Sequence, residues 1–302
     1  MKTGGISSKS LVATIGFFDG VHLGHRFLIS QVNEVARSRG YASAVVTFPE
    51  HPRKVMQPDF APRLLNTCEE KLSLLAAAGV QQTIMLPFTK ELAALSARDF
   101  MQLLQRDYKV QALLIGHDHR FGHNRSEGFD DYLNYAKELG MEVLLARAYL
   151  YKDIKVSSSK IRHHLLQGEM KEATALLGYE YVLQGTVVGG YRVGRRLGYP
   201  TANIRPDSPE KLIPCDGVYA VRVQLGASVY GGMLSIGYRP TLGNGPDRSI
   251  EVHIFDFHED IYDCPIRLSF VARTRDDLKF DTLEELKERL QQDEKEIRAI
   301  LC

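Results

Sequence analysis

The chain has 302 residues, 44% hydrophobic and 25% charged, a composition that fits a soluble globular protein with two cores better than one. Its 38 basic and 37 acidic side chains leave a formal charge of +1, too balanced to argue for a nucleic-acid surface, and no apolar run approaches the ~20 residues of a membrane helix. Cys68, Cys215, Cys264 and Cys302 form no CxxC pair, which argues against a zinc knuckle or disulfide framework, and the opening MKTGGISSKSLVATIG has no apolar signal region, so the expected location is the cytoplasm.

Leu11 to Ile15 reads as a buried strand. The stretch after it, Gly16-Phe17-Phe18-Asp19-Gly20-Val21-His22-Leu23-Gly24-His25, ends the strand and opens a helix whose pattern runs from His25 to Arg39. His22 and His25 are three apart, on one side of the first helical turn, where free N–H groups and the helix dipole favour an anion. Gly24 leaves room for a phosphate against the backbone, so this turn reads as a phosphate site. Strands follow at Ala42 to Phe48, Thr83 to Phe88, Ala112 to Ile115 and Met141 to Leu145. Helical patterns lie at Thr67 to Ala78, Ala97 to Gln105 and Asp130 to Leu139, the last stopped by Gly140. Repeated βα units predict a doubly wound, Rossmann-like α/β sheet that binds its ligands at the carboxyl ends of the strands. The unusual loops follow those ends: His22 and His25 after the first strand, Thr47 to Arg53 after the second, and Gly116 to Gly122 after the fourth.

A helix pair at Lys160 to Leu177 closes this half, and the pattern then changes. Short β-rich runs at Tyr181 to Val188, Val218 to Gln224, Ser228 to Ile236, Ile250 to Phe257 and Ile266 to Arg273 predict a small antiparallel barrel or sandwich. Leu283, Leu286, Leu290, Ile297 and Leu301 share one face of a charged C-terminal helix that packs on it. The expected domains are 1–180 and 181–302. Within Pro200-Thr201-Ala202-Asn203 the two polar oxygens project from one face if the segment is extended, an arrangement suited to magnesium. Gly190, Gly194, Arg195 and Gly198 just before it provide amides and a basic side chain to wrap a triphosphate.

GFFDGVHLGH at Gly16 to His25, VSSSKIR at Val156 to Arg162, LGYPTANI at Leu197 to Ile204 and SIEVHIFDF at Ser249 to Phe257 occur in this order, and with them the chain resembles the bacterial bifunctional riboflavin kinase and FAD synthetase family over essentially its full length. The resemblance implies an FMN adenylyltransferase module followed by a riboflavin-kinase barrel. ATP, riboflavin and FMN are then substrates, FAD is the product, and magnesium serves both steps; the partners are small molecules, with no nucleic acid and no membrane, and the chain permits a homo-oligomer.

In the first module Gly16, Phe17 and Gly24 frame the site, Asp19 is either a magnesium or active-site polar group or the turn-forming Asp before Gly20, and His22 and His25 clamp the transferring phosphate as protonated or strongly hydrogen-bonding imidazoles. Ser157, Ser159 and Arg162, with Ser158 and Lys160, fit the departing phosphates. Arg53, Asp118, Arg120, Phe121 and Arg125 are expected about the FMN, with Phe121 or His119 stacked on its rings. In the kinase Glu251 is the general base, Thr201 and Asn203 hold the metal, and Arg275 and Phe280 lie near the flavin. The chain departs from the family pattern at Glu50, at His119 where an aromatic Phe is common, and at Ser235 where many relatives carry Asn.

Overall fold

The computed structural model describes residues 9–57, 59–116, 119–123, 127–190, 194, 198–238 and 248–302. Compactness divides the chain into two units, one ending at Ser158 and the other beginning at Ser159.

The first unit alternates strands and helices: β1 (Leu11–Ile15), α1 (Leu23–Arg39), β2 (Ala42–Thr47), α2 (Pro52–Met56), α3 (Cys68–Ala77), β3 (Gln82–Met85), α4 (Lys90–Ala93), α5 (Ala97–Tyr108), β4 (Val110–Ile115), α6 (Phe129–Leu139) and β5 (Glu142–Leu145). A short hairpin of β6 (Leu150–Tyr151) and β7 (Ile154–Lys155) ends it. The five parallel strands run in the order β3-β2-β1-β4-β5. Successive residues of β1 serve opposite faces. Leu11, Ala13 and Ile15 join Phe100, Leu104 and Tyr132 of α5 and α6, while Val12 meets Val32 and Ala36 of α1. Burial on both faces is why β1 and β2 are unbroken apolar or small-residue runs and not alternating ones. The order reverses between β2 and β4 across β1, so the turn after β1 stands at the switch point of the sheet, where α/β folds open a crevice.

The second unit begins with a helix pair, α7 (Ser158–Gln167) and α8 (Met170–Leu177). A closed barrel follows, made of β8 (Tyr181–Val188), β9 (Ala202–Pro206), β10 (Gly217–Leu225), β11 (Ser228–Tyr238), β12 (Arg248–Ile254) and β13 (Pro265–Arg275), with α9 (Leu283–Leu301) last. The Cys215 amide donates to the Leu165 carbonyl at 3.3 Å, and a Cβ on Gly168 would collide with Arg273, so the helix pair packs closely with the barrel strands. The expected division at 180/181 therefore falls inside the second compact unit, between α8 and β8. On the barrel, Tyr219, Leu234 and Val252 lie in register and are fully buried. The outer surface carries Val218, Ala220 and Met233, covered by Ile297, Leu290 and Leu301 of α9. The amphipathic spacing of the last helix is thus matched by its packing.

Sequence and structure differ chiefly at punctuation. The first helix begins at Leu23, before His25, because the His22 side chain caps it. β9 was legible only as a conditional extended segment: five residues with a half-buried Asn203, a buried Ile204 and an exposed Arg205 give little alternation to read. The short helices α2 and α4 sit in what read as loops, where Pro52 and Thr89 start single turns.

Candidate active sites

The turn after β1 bends sharply. Phe18 (φ 57°) and Val21 (φ 34°) adopt left-handed backbone conformations that cost non-glycine residues energy, Val21 above all as a β-branched one. Both side chains are buried against Ile29, Val45 and Leu75, which holds the turn in place. Asp19, 4% exposed, fastens it from the other side: its Oδ1 accepts from the Leu65 amide at 2.9 Å and the Asn66 amide at 3.2 Å. The Asp19 carbonyl accepts from Ser158 Oγ at 2.8 Å, which brings the last residue of the first unit to this turn. Phe17 holds its carbonyl toward Thr47 Oγ1 (3.1 Å) and the Gly16 amide bonds Val46 O (3.0 Å), so β1 and β2 stay paired past the strand ends.

His22 is the N-cap of α1. Its Nδ1 accepts from the His25 amide at 3.3 Å, which assigns the ring proton of the neutral imidazole to Nε2. The two imidazoles stack, with centroids 3.7 Å apart and planes 15° from parallel. Burial pushes the His22 pKa down to about 4, and burial together with the neighbouring His22 holds His25 well below the usual imidazole range. The ligand-free pair is therefore neutral at pH 7, which narrows the expected clamp to hydrogen-bond donation from Nε2 of His22 in place of a standing positive charge. His25 Nδ1 is buried with no hydrogen-bond partner among the described residues. Gly24 is explained differently from the sequence reading: a Cβ there would press on the His22 ring at 3.2 Å, so the missing side chain makes room for the cap.

Beyond β2, His51 repeats the device, capping α2 by accepting from the Arg53 amide at 3.1 Å. Its ring makes a T-shaped contact with Phe17 at 4.7 Å, and the exposed Arg53 guanidinium sits 5.0 Å over Phe60. A cavity of about 250 Å³ opens here, lined by Ile15, Phe48, Pro52, Met56, Phe88, Phe100, His119, Arg120, Phe121 and His123 among others. Phe121 supplies wall and not a free stacking face, because it is 8% exposed and stacks on Tyr132 at 4.2 Å. Arg120 is turned toward the Glu127 carbonyl, donating at 2.7 Å. Asp118 and Arg125 lie outside the described residues. Phe48, within the Thr47 to Arg53 loop expected at the crevice, is in T-shaped contact at 5.2 Å with Phe88, a wall residue that sequence reading missed although it follows the end of a parallel strand. Ser157 and Ser158 end the first unit; Ser159 and Arg162 begin the second, on α7.

In the barrel, strand register does what sequence spacing could not. Glu251 of β12 stands across from Asn203 of β9 on one side and from Ser235 of β11 on the other. All three are half-buried, on the row opposite to the fully buried Leu234 and Val252. Thr201 Oγ1 donates to Glu251 Oε2 at 3.0 Å, so Thr201, Asn203 and Glu251 form one cluster of hydroxyl, amide and carboxylate oxygens. His253 shares the Glu251 face, and its Nδ1 bonds the Pro200 carbonyl at 2.8 Å, which anchors the start of the Thr201 segment. A Cβ on Gly190 would collide with the Asn203 amide, so only glycine lets the backbone pass there. Gly194 and Gly198 lie in the same connection between β8 and β9, where Arg195 is outside the described residues. A second cavity, of about 340 Å³, begins at Pro200, Thr201 and Ala202 and is walled by Val187, Val252, Ile254, Phe257 and Tyr262.

Arg275 is committed elsewhere. Its Nε and Nη2 reach the fully buried Asp293 of α9 at 3.0 and 2.7 Å, and Arg289 adds a bond to the same carboxylate at 2.8 Å. Phe280 lies 6.0 Å from the Arg275 guanidinium. Asp293→Ala would strand two arginines beside a buried site and is expected to destabilise the second unit by about 3 kcal/mol; urea unfolding checks it, and a loss under about 0.5 kcal/mol would show that this ion-paired cluster does not hold α9 to the barrel.

A FAD synthetase family model matches residues 6–160 and a riboflavin kinase family model matches 177–301. Among similar curated proteins, the bifunctional riboflavin kinase/FMN adenylyltransferase of Listeria monocytogenes is 36% identical over 96% of this chain and 92% of its own. Those of Bacillus subtilis and Escherichia coli K12 are 34% and 35% identical, over 96% and 95% of this chain and 92% and 91% of theirs. A solved structure from Streptococcus pneumoniae, described as a macrolide-efflux protein, superposes with a TM-score of 0.89 at 32% identity, covering 97% of this chain and 95% of that one. Among the described residues no helix is long and apolar enough to cross a membrane. The two family matches follow one another along the sequence in the same order as the sheet and the barrel, and the chain belongs to the bifunctional riboflavin kinase/FAD synthetase family.

Proposed function

We propose that this chain phosphorylates riboflavin with ATP to give FMN and ADP, and then transfers AMP from a second ATP to FMN, giving FAD and pyrophosphate. The observation that carries the reading is the cluster of Thr201, Asn203 and Glu251, in which the barrel register brings Glu251 to a Thr–Asn pair about fifty residues earlier in the sequence. In the kinase step Glu251 takes the proton of the terminal ribityl hydroxyl while its oxygen bonds the γ-phosphorus of ATP and the bond to the ADP oxygen breaks. A divalent metal fits the donor set, since Thr201 and Asn203 offer hard oxygens and leave positions for ATP phosphates; magnesium bound there would neutralise charge on the transferring group. The cavity beside Thr201 suits the nucleoside of that ATP.

In the adenylyl transfer an FMN phosphate oxygen attacks the α-phosphorus of ATP and pyrophosphate leaves, with no covalent enzyme intermediate. Neutral His22 donates from Nε2 toward the crowded phosphates, next to the open N-terminus of α1. Ser157, Ser159 and Arg162 are assigned to the leaving phosphates, and the aromatic cavity behind His51 and Phe48 to the isoalloxazine. Asp19 serves as the fastener of the turn through its backbone bonds. The functional domains are taken as 1–180 and 181–302. A time course with riboflavin, ATP and magnesium, separated by chromatography, tests the reading: FMN should rise first and FAD follow. Persistence of riboflavin together with failure to convert supplied FMN would overturn it, whereas conversion of supplied FMN alone would leave only the adenylyltransferase.

A further inference from the structure

Lys71 is 3% exposed, an unusual place for an ammonium group. It sits in the first turn of α3, a helix begun by a reciprocal capping box in which Thr67 and Glu70 bond each other's backbone amides. From there Nζ donates to the Phe48 carbonyl at 2.7 Å and lies 4.1 Å from the centre of the Phe17 ring. Phe17 follows β1 and Phe48 follows β2, so one buried cation touches both strand ends. The same segment fastens the first of these ends again just upstream, where the Leu65 and Asn66 amides bind Asp19. Beyond the two contact points come His22 and His25 after β1 and His51 and Arg53 after β2, and His51 meets the same Phe17 ring. A methionine of similar length would fill the space without the cost of burying a charge.

We propose that Lys71 is a positioning residue for adenylyl transfer: its ammonium ties the end of β1 to the end of β2, and so sets the spacing of the loops that hold the two substrates. The inference rests on the adenylyltransferase reading above. It concerns a residue that contacts neither reacting phosphate, and it acts through the Phe48 carbonyl and the Phe17 face. A cation is needed because a neutral amine gives up the attraction to the ring and weakens the bond to the carbonyl.

The titratable groups facing Lys71 are Cys68 on its own helix and Asp19 on the turn after β1; both favour its charged form, but burial outweighs them and brings its pKa down from 10.5 to about 8. Activity and stability then move in opposite directions with pH. Because the folded value lies below the unfolded one, burying Lys71 costs less as pH rises from about 8 toward 10.5, and the fold gains stability there. The brace loses its charge over the same range. Adenylyl transfer should therefore fall above about pH 8 while the thermal midpoint does not fall with it.

The test uses the full-length chain, whose kinase activity serves as an internal control. With FMN and ATP supplied, Lys71→Met is expected to lower kcat by about 10- to 100-fold, the usual effect of slight misplacement, with KM for ATP little changed and FMN formation from riboflavin at the wild-type rate. Lys71→Arg keeps a permanent charge, so it should retain more activity than the methionine variant and lose the alkaline limb seen in the wild type. If Lys71→Met does not fold, the wild-type and Lys71→Arg profiles decide alone. An alkaline limb that persists unchanged in Lys71→Arg, or a folded Lys71→Met with wild-type kcat, overturns the assignment while FAD synthesis stands. Failure of the wild type to make FAD at any pH overturns the adenylyltransferase reading and this assignment together.

Discussion

Glu251→Gln is expected to lower FMN formation by about 1,000-fold, within the range for loss of a general base, while FAD formation from supplied FMN proceeds at the wild-type rate. Glutamine keeps the shape of the side chain and an oxygen that can still accept from Thr201 Oγ1, now 3.0 Å from the carboxylate, so the cluster stays folded. What it lacks is a basic oxygen to receive the ribityl proton. The same substitution changes the charge beside Thr201 and Asn203, so a modest rise in KM for ATP is also expected, and kcat should carry most of the loss. Steady-state assays of each half-reaction, with products separated by chromatography, distinguish these effects. FMN formation at more than about one-tenth of the wild-type rate would remove Glu251 from the role of base. Thr201→Ala offers the complementary reading, because it deletes the hydroxyl proposed to hold the metal and a hydrogen bond but leaves the carboxylate.

The two-part architecture was legible because the hydrophobic period changes along the chain, from unbroken apolar strands between helices to short runs separated by turns. β1 illustrates why this works: with both faces buried, all five of its residues must be apolar or small, and the run stands out. Chemistry at the first strand end was legible for a related reason, since a glycine-rich turn with two histidines has no ordinary place at the start of a helix. The same pattern did not disclose how the histidines work. Histidine is not among the usual N-cap residues, and nothing in the spacing says that His22 Nδ1 is spent on the His25 amide. Asp19 and Arg275 show a second limit. Asp19 read equally as a ligand group or a turn residue and Arg275 as a neighbour of the flavin, and their carboxylate and guanidinium bond protein groups 46 and 18 residues away, a matter of tertiary contact that no local motif encodes. Lys71 is the sharpest case. In sequence it is one lysine beside two glutamates at the start of a short helix, and only the packing of α3 under the two strand ends reveals a buried cation.

His22→Asn should reduce adenylyl transfer by about 100- to 1,000-fold, the usual effect of removing one donor aimed at developing charge, and leave riboflavin phosphorylation unchanged. Asparagine is chosen because it caps helices well, whereas alanine would also remove the cap and cost about 1 kcal/mol of stability. The wild-type imidazoles impose a separate signature on stability. With the folded His22 pKa at about 4 and the unfolded value near 6.5, the unfolded chain binds the proton first as pH falls. The stabilisation is complete above about pH 6.5 and is lost as pH falls through about 4; for His22 the gap corresponds to about 3 kcal/mol. Denaturant unfolding at pH 7 and pH 5 should show this slope in the wild type and a shallower one in His22→Asn. Rate carries the complementary evidence. A neutral donor works without an added proton, so kcat/KM for adenylyl transfer, which reports the free enzyme, should hold steady from about pH 6 to pH 7.5. A tenfold fall per pH interval above about 6.5 would mean that the active form is the imidazolium, and the assignment of neutral donors to this turn would have to be abandoned.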